Sequence, residues 1–400
     1  LKVLVLPSWY PPDKGSFFRE QSLAIARAGI EIDVLSLRIK GIREITKEPS
    51  LLLKRRIVKN HDNGIDVYRA IYLKYPLTEK YNIAPWAKRV LYFFERYIAA
   101  NGFPDLIHVH GSLRAGYAAS IIYEKYNIPY IVTEHSGIFV ENNPVAQRQI
   151  KPFYKEFLQK ALKNASKVIL VSDKLRRVIL DIEPSISNRI VVIPNFIDTN
   201  IFTPLSVTLP EKPFIFLSIG HLEHLKGMDI LINAFSILKK RITHPVMLKI
   251  GATGSQISKL KSQASNLGIE QDVVFSGRRL SRSEVNTYMQ NSHAFVLASR
   301  FEAFGVVLVE AMATGLPVIS TRSGGPEEII NKESGYLVDL EDPDGLAEAM
   351  ECMIVNYRLF DRRAIRDQAI KKYSRESNLS KIIGVYDEVL SKSRLEPGKK

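Results

Sequence analysis

Residues 293–320 read HAFVLASRFEAFGVVLVEAMATGLPVIS. Two short apolar runs, His293–Leu297 and Pro317–Ser320, bracket a stretch of small and aliphatic residues, Gly305–Thr314, that suits a helix. Strand, loop, helix and strand in so few residues make a βαβ unit, and strands joined in this way run parallel. Both faces of such a sheet are covered, so its strands read as unbroken apolar runs rather than as alternating ones. Working outward, the same alternation recurs. Strands are expected at Phe214–Ile219, Val246–Ile250, Asp272–Phe275 and Gly335–Val338, with helices at Met228–Lys240, Gln256–Leu267, Ser281–Gln290 and Pro343–Val355. An earlier series has strands at Lys2–Leu6, Glu31–Leu37, Asp66–Tyr72, Leu106–Val109, Pro129–Thr133, Lys167–Val171 and Ile190–Ile193. Its helices fall at Phe17–Ala28, Pro85–Ala100, Leu113–Tyr126 and Val145–Lys163. Between the two series, Pro194, Pro204, Pro210 and Pro213 mark a linker. The chain therefore reads as α/β, with two Rossmann-like, doubly wound domains facing across a cleft: residues 1–195 and 205–375, with a final helix at about 376–395 packing back on the first. In open parallel sheets ligands bind beyond the carboxyl ends of the strands.

Composition narrows the class. The 400 residues are 46% hydrophobic and 24% charged, which excludes a disordered or fibrous chain. A single cysteine, Cys352, excludes a disulfide framework and a cysteine-rich metal cluster, and fits a reducing compartment. No apolar run reaches the ~18 residues that cross a bilayer, and the opening LKVLVLP does not read as a leader. Net charge is +14 and uneven: residues 1–200 hold 30 Lys and Arg against 19 Asp and Glu, whereas 201–400 hold 26 against 23. A basic first half points to an anionic partner.

Glu302 sits in the loop at the carboxyl end of the strand His293–Leu297, and Gly305 opens the helix that follows. Free N–H groups at a helix start attract phosphate, and glycine lets a ligand approach closely. Glu310 lies roughly 7–8 Å further along that helix. Two carboxylates flanking an anion-binding turn can accept hydrogen bonds from hydroxyls at the two ends of a sugar–diphosphate–nucleoside. Spacing alone equally allows two solvated glutamates beside an ordinary strand–loop–helix.

The stretch resembles the donor-binding motif of glycosyltransferase family 4, retaining nucleotide-sugar enzymes of GT-B fold: a glutamate, seven residues, a second glutamate, then small residues before Pro317–Val318. Other segments resemble the family in order. Pro7–Pro12 followed by Gly15–Phe18 is similar to its first glycine loop, Ile193–Asp198 with Phe202 to its interdomain signature, and Gly220–Leu222 with Lys226–Gly227 to its phosphate-binding strand end. Ser323–Glu327 and Ser334–Val338 continue the likeness, which covers nearly the whole chain.

The resemblance implies roles. Glu302 binds donor-sugar hydroxyls; Phe304, Gly305 and Val306 offer backbone amides to sugar and diphosphate; Glu310 holds the ribose; Lys226 neutralises the diphosphate; Gly15 belongs to the first glycine loop. His135, at the end of the strand Pro129–Thr133, stands where the family has a histidine near the donor sugar. One departure is His221, where the family usually has an arginine. A histidine gives no permanent bidentate phosphate contact; His221 either donates one hydrogen bond to the diphosphate, with His224 or Arg278 helping, or simply caps the strand. His108 and His110 lack a third ligand and read as strand packing. Asp342–Pro343–Asp344 reads as an N-cap with a helix-starting proline rather than a metal motif.

The segment Arg38–Lys59 carries eight Lys and Arg, and Trp86–Tyr97 mixes aromatics with cations, a composition suited to a helix lying in a membrane interface. No nucleic-acid module is present. The expectation is a retaining, metal-independent hexosyltransferase without a cofactor, using a nucleotide-diphosphate-sugar as co-substrate. Its acceptor would be a glycan or lipid-linked hydroxyl in cell-surface polysaccharide or glycolipid synthesis. The enzyme would be cytoplasmic and peripheral on an anionic inner membrane face. Alternatives are a glucan synthase- or phosphorylase-like enzyme of the same fold, or a non-catalytic sugar-binding scaffold. A nicotinamide dehydrogenase would need a glycine fingerprint where Pro7–Ser8–Trp9 stands.

Overall fold

The computed structural model of the protein describes residues 1–11, 16–41, 44, 46, 57–75, 78–205, 212–251 and 253–395. They fall into two units: Leu1–Ser136, Ile150–Ile193 and Leu379–Lys400 form the first, Gly137–Gln149 and Pro194–Asn378 the second.

The first unit is built on β1 (Lys2–Pro7), β2 (Glu31–Lys40), β3 (Val58–Asp62), β4 (Ile65–Leu73), β5 (Leu106–His110), β6 (Tyr130–Glu134), β7 (Lys167–Leu170) and β8 (Ile190–Val192). Their order is β3-β4-β2-β1-β5-β6-β7-β8. Every residue of β5 and β6 is buried, as parallel strands covered on both faces must be. Among the described strands only β3 runs antiparallel, paired with β4 through the two-residue turn Asn63–Gly64, where both residues have positive φ (49° and 97°). Asn-Gly between strands is a strong hairpin signal. The lone strand expected at Asp66–Tyr72 is thus one arm of a hairpin.

A second correction concerns Val145–Lys163. Instead of one helix there are two, Pro144–Gln147 and Tyr154–Lys163. Asn143 caps the first, its Oδ1 accepting from the N–H groups of Val145 (3.0 Å) and Ala146 (3.2 Å). Pro152, which disfavours helix for the residue before it, stands in the break. Within that break the chain passes from the second unit back to the first.

A third correction concerns the aromatic helix, Lys80–Asn101. Trp86, Phe93, Phe94 and Tyr97 are all buried. Trp86 donates to the Leu37 carbonyl (3.2 Å) and the Tyr97 hydroxyl to Asp33 (2.6 Å). Its exposed stripe is narrower, Tyr81, Lys88 and Tyr92, with the Arg89 and Arg96 guanidinium groups 4.7 and 5.9 Å from the Tyr92 ring.

The second unit is a wholly parallel sheet of β9 (Phe214–Ile219), β10 (Val246–Gly251), β11 (Val273–Phe275), β12 (Ala294–Leu297), β13 (Val318–Thr321) and β14 (Gly335–Val338), in the order β11-β10-β9-β12-β13-β14. Its strand order reverses between β9 and β12, so the loops leaving those two strands diverge at their carboxyl ends, where doubly wound sheets bind ligands. Among the described residues no helix is long and apolar enough to cross a membrane.

Candidate functional site

In the second unit, the two loops at that reversal carry Lys226 and Glu302. The β9 loop closes in a helical turn, His224–Lys226, ended by Gly227 at φ 61°. A side chain on Gly227 would put its Cβ 1.8 Å from the Ala298 carbonyl oxygen, so only glycine lets this turn lie against the β12 loop. The approach brings the Lys226 ammonium onto the Glu302 carboxylate as an ion pair. The Ser299 hydroxyl donates to the same carboxylate oxygen at 2.9 Å. The Glu302 backbone is fixed as well: its N–H donates to the Ser323 carbonyl (2.7 Å) and its carbonyl accepts from Gly325 (2.9 Å).

Helix Val306–Ala313 begins at Gly305, whose φ of 96° turns the chain into the helix, and no side chain caps its first amides. Those amides and the positive end of the helix dipole suit an anion. The Phe304 ring is buried against Tyr373 at 5.5 Å, so its backbone alone is available to a ligand. Along the helix, Glu310 accepts from Arg282 Nη2 at 3.2 Å, and the Arg282 guanidinium lies 5.1 Å over the Phe202 ring. Arg278 does not join this group. It ion-pairs with Glu284 at the exposed capping box of helix Arg282–Gln290. Its neighbour four residues on takes the place beside the glutamate. His221 is half exposed, with Nε2 3.3 Å from Glu223.

Arg300 carries no signal of its role in the sequence, yet it ties the site together. It is 5% exposed, bonded to both Asp229 oxygens (2.9 Å each) and to Glu341 (2.6 and 3.2 Å). It also donates to the carbonyl of His224, and its N–H to that of Leu225 (2.9 Å), so it holds the turn that presents Lys226. Burial pushes the Asp229 carboxyl up, but the Arg300 hydrogen bonds outweigh it and leave it below the usual range.

In the first unit, His135 follows β6. Its ring lies 5.0 and 4.8 Å from those of Phe17 and Phe18, and its Nε2 is 3.1 Å from His110 Nδ1. Another residue missed from sequence, the buried Glu134, shapes the loop: it accepts from the N–H groups of His135 and Ser136 (2.7 Å each) and of Ser112 (2.9 Å). His108 is bonded at both nitrogens, to the Tyr386 hydroxyl (2.6 Å) and Thr133 (2.7 Å), which leaves it no lone pair for a metal. Burial lowers its pKa to about 3. Among the described residues no group of three or more His, Cys, Asp or Glu could hold a metal ion. Gly15 lies outside the described residues.

Two family models match this chain: Glycosyltransferase Family 4 over residues 15–201 and Glycosyl transferases group 1 over residues 204–376. A D-inositol 3-phosphate glycosyltransferase of Corynebacterium jeikeium is 28% identical over 307 residues, covering 71% of this chain and 72% of that one. Among solved structures, sucrose-phosphate synthase from Thermosynechococcus elongatus superposes with a TM-score of 0.80 at 20% identity, covering 98% of this chain and all of that one. Anabaena HepE in complex with UDP-glucose gives 0.72 at 17%, covering 97% and 100%. The chain belongs to the family 4 glycosyltransferases of GT-B fold, and its activity is glycosyl transfer.

Proposed function

We propose that the protein is a retaining hexosyltransferase that moves a sugar from a nucleoside-diphosphate sugar to a hydroxyl of a glycan or lipid-linked acceptor. The observation that carries this reading is the Lys226–Glu302 pair beside the uncapped start of helix Val306–Ala313. A cation for a diphosphate and a carboxylate for sugar hydroxyls stand within hydrogen-bonding reach of each other. HepE, of the same fold, is solved with UDP-glucose. In the transfer the bond from sugar C1 to the diphosphate oxygen breaks and its electron pair leaves with the diphosphate. The acceptor oxygen bonds to C1 on the same face, and its proton passes to the departing diphosphate oxygen. Lys226 and the amides of Gly305 and Val306 stabilise the charge that grows there, which needs neither a protein nucleophile nor a metal. Glu310, held by Arg282, takes the ribose hydroxyls.

Release of nucleoside diphosphate from a panel of nucleotide-sugars tests the class; no release from any of them would overturn it. Lys226→Ala should weaken binding of the nucleoside diphosphate alone about ten- to a hundredfold, because a charge-assisted bond is lost. His221→Arg should bind as well as wild type or better. Calorimetry with the diphosphate decides, and unchanged affinity in Lys226→Ala would remove that lysine from the site.

The reading includes a membrane-surface acceptor, supported by the basic segment Arg38–Lys59 and the exposed Lys88. Arg55 and Arg56 lie outside the described residues. The protein should co-sediment with anionic vesicles at low salt and detach as salt rises, since screening acts over ~10 Å at 0.1 M. Each basic residue near such a surface adds about 1 kcal/mol. Changing Arg55, Arg56, Lys88 and Arg89 to Gln should release it while donor hydrolysis persists. Equal binding to neutral and anionic vesicles would refute electrostatic docking.

A further inference from the structure

The edge of the first unit's sheet holds cationic groups that none of the roles described above absorbs. Arg69 in β4 stands opposite Ser36 of β2 and Val58 of β3, and Arg38 of β2 stands opposite Ile71. Successive residues of a strand point to opposite faces, so Arg38, Val58, Asn60, Arg69 and Ile71 share one face, toward the carboxyl ends of β2 and β4. They line a cavity of about 250 Å³, and no carboxylate is among the described residues around it. Arg69 is partly buried, and its Nε is enclosed with no hydrogen-bond partner. The carboxylate whose charge it meets is Asp62. That group is already taken, accepting from Arg19 Nε at 2.6 Å and Nη2 at 2.5 Å. The Tyr10 hydroxyl, on a residue 1% exposed, likewise has no partner. Burial raises its pKa, and the charges of Asp62, Arg19 and Arg69 all act on it, so it stays a neutral O–H in the same electrostatic neighbourhood. Buried donors of this kind are costly in themselves and persist where a ligand supplies the acceptor.

We propose that this cavity binds a phosphate monoester, held by the guanidinium groups of Arg69 and Arg38 with the Asn60 amide as a further donor. Guanidinium forks match phosphate oxygens two at a time, and two positive charges balance a monoester that carries about −1.5 to −2 at neutral pH. The carboxyl ends of parallel strands are where such sheets bind ligands. Lys226, Glu302 and Glu310 all lie in the second unit, so a site in the first serves the other substrate. That the monoester belongs to the acceptor rests on the proposed function; the binding of phosphate does not.

Calorimetry of the full chain with inorganic phosphate tests the site. Wild type should bind, and binding should weaken as pH drops through about 6, where the dianion takes up a proton. Arg69→Gln should lower affinity at least tenfold, the worth of a charge-assisted bond. Arg69→Lys should restore only part of it, since a point charge does not reproduce the fork. The donor site also suits phosphate, so Lys226→Ala is the cross-check. It should leave the Arg69-dependent binding in place, whereas Arg69→Gln should leave nucleoside diphosphate affinity unchanged. Arg38→Gln should act like Arg69→Gln and decides the matter should the latter fail to fold. Absence of phosphate binding, or binding lost in Lys226→Ala but not in Arg69→Gln, would overturn the proposal. Glucose 6-phosphate and vesicles containing phosphatidic acid distinguish the sources. Arg69-dependent binding of the sugar phosphate, with none of glucose, supports a phosphorylated acceptor; Arg69-dependent binding of the vesicles alone keeps the site and assigns it to a lipid headgroup. Failure of every nucleotide-sugar to react, with phosphate held through Arg69, would count against the functional reading alone.

Discussion

Glu302→Ala is expected to cut sugar transfer at least a hundredfold while leaving nucleoside diphosphate binding intact or tighter. Two consequences of one geometry pull in opposite directions. The carboxylate accepts sugar hydroxyls in the proposed complex, and a charge-assisted bond of this kind is worth about 1.5–3 kcal/mol, or roughly ten- to a hundredfold for each bond lost. In the free protein, however, the same carboxylate pairs with Lys226. Removing it releases the ammonium for the diphosphate, so product affinity should not fall. Glu302→Gln keeps one acceptor oxygen and should lie between. The fold should survive, because the backbone bonds of Glu302 to Ser323 and Gly325 do not involve its side chain. Steady-state transfer assays beside calorimetry with the diphosphate separate the effects. Wild-type transfer in Glu302→Ala would remove this residue from catalysis; parallel loss of transfer and diphosphate binding would mean that Glu302 acts only by shaping the Lys226 turn.

How much of this was legible in the sequence follows from the range of the interactions. The βαβ unit around Glu302 could be read directly because its signals are local: an apolar strand, a glycine at a positive-φ turn, a helix of small residues. The β3–β4 hairpin was equally local, and Asn63–Gly64 announced it. The division of Val145–Lys163 was half legible, through Pro152 and the capping Asn143, but the segment Gly137–Gln149 belongs to the second unit through contacts that no nearby residue announces. Asn143 donates to the Arg300 carbonyl at 2.6 Å, across 157 residues. The same distance problem hid Arg282, 28 residues from Glu310, and made Arg278 look as good a candidate. Glu134 was adjacent to His135, yet nothing in its spacing says that a carboxylate is buried and saturated with N–H donors. The aromatic helix misled for a related reason: composition counts Trp86 and Tyr97 without saying that their polar atoms are satisfied inside.

Arg300 has the largest expected effect on stability. The residue is 5% exposed, and its guanidinium joins three segments: Asp229 at the start of helix Met228–Arg241, Glu341 before helix Pro343–Val355, and the His224 carbonyl. The carboxylates left behind are about a third (Asp229) and about half (Glu341) exposed, so removing Arg300 should cost about 1.5–3 kcal/mol, the worth of its charge-assisted hydrogen bonds, rather than the penalty of a fully buried pair. At roughly 2–4 °C per kcal/mol for a domain of this size, Arg300→Ala should lower Tm by about 3–12 °C. Lysine should not rescue it, since a point charge cannot serve both oxygens of Asp229 and Glu341 together. The pH dependence has a definite sign. Asp229 is held below the usual carboxylate range, so its contribution is full above the unfolded value near 4 and is lost as pH falls through the folded one. In Arg300→Ala, burial acts on Asp229 with its main counter-charge gone and raises its pKa, so protonation stabilises the variant. The gap between wild type and variant should therefore narrow as pH drops below about 4. Thermal unfolding across pH measures this. A gap of less than about 1 kcal/mol at neutral pH, or one that widens in acid, would mean that Asp229 is not held by Arg300. Diphosphate affinity of the folded variant, measured well below its Tm, should also fall, because the turn that carries Lys226 loses both its anchor at the His224 carbonyl and the helix start at Asp229 on which it rests.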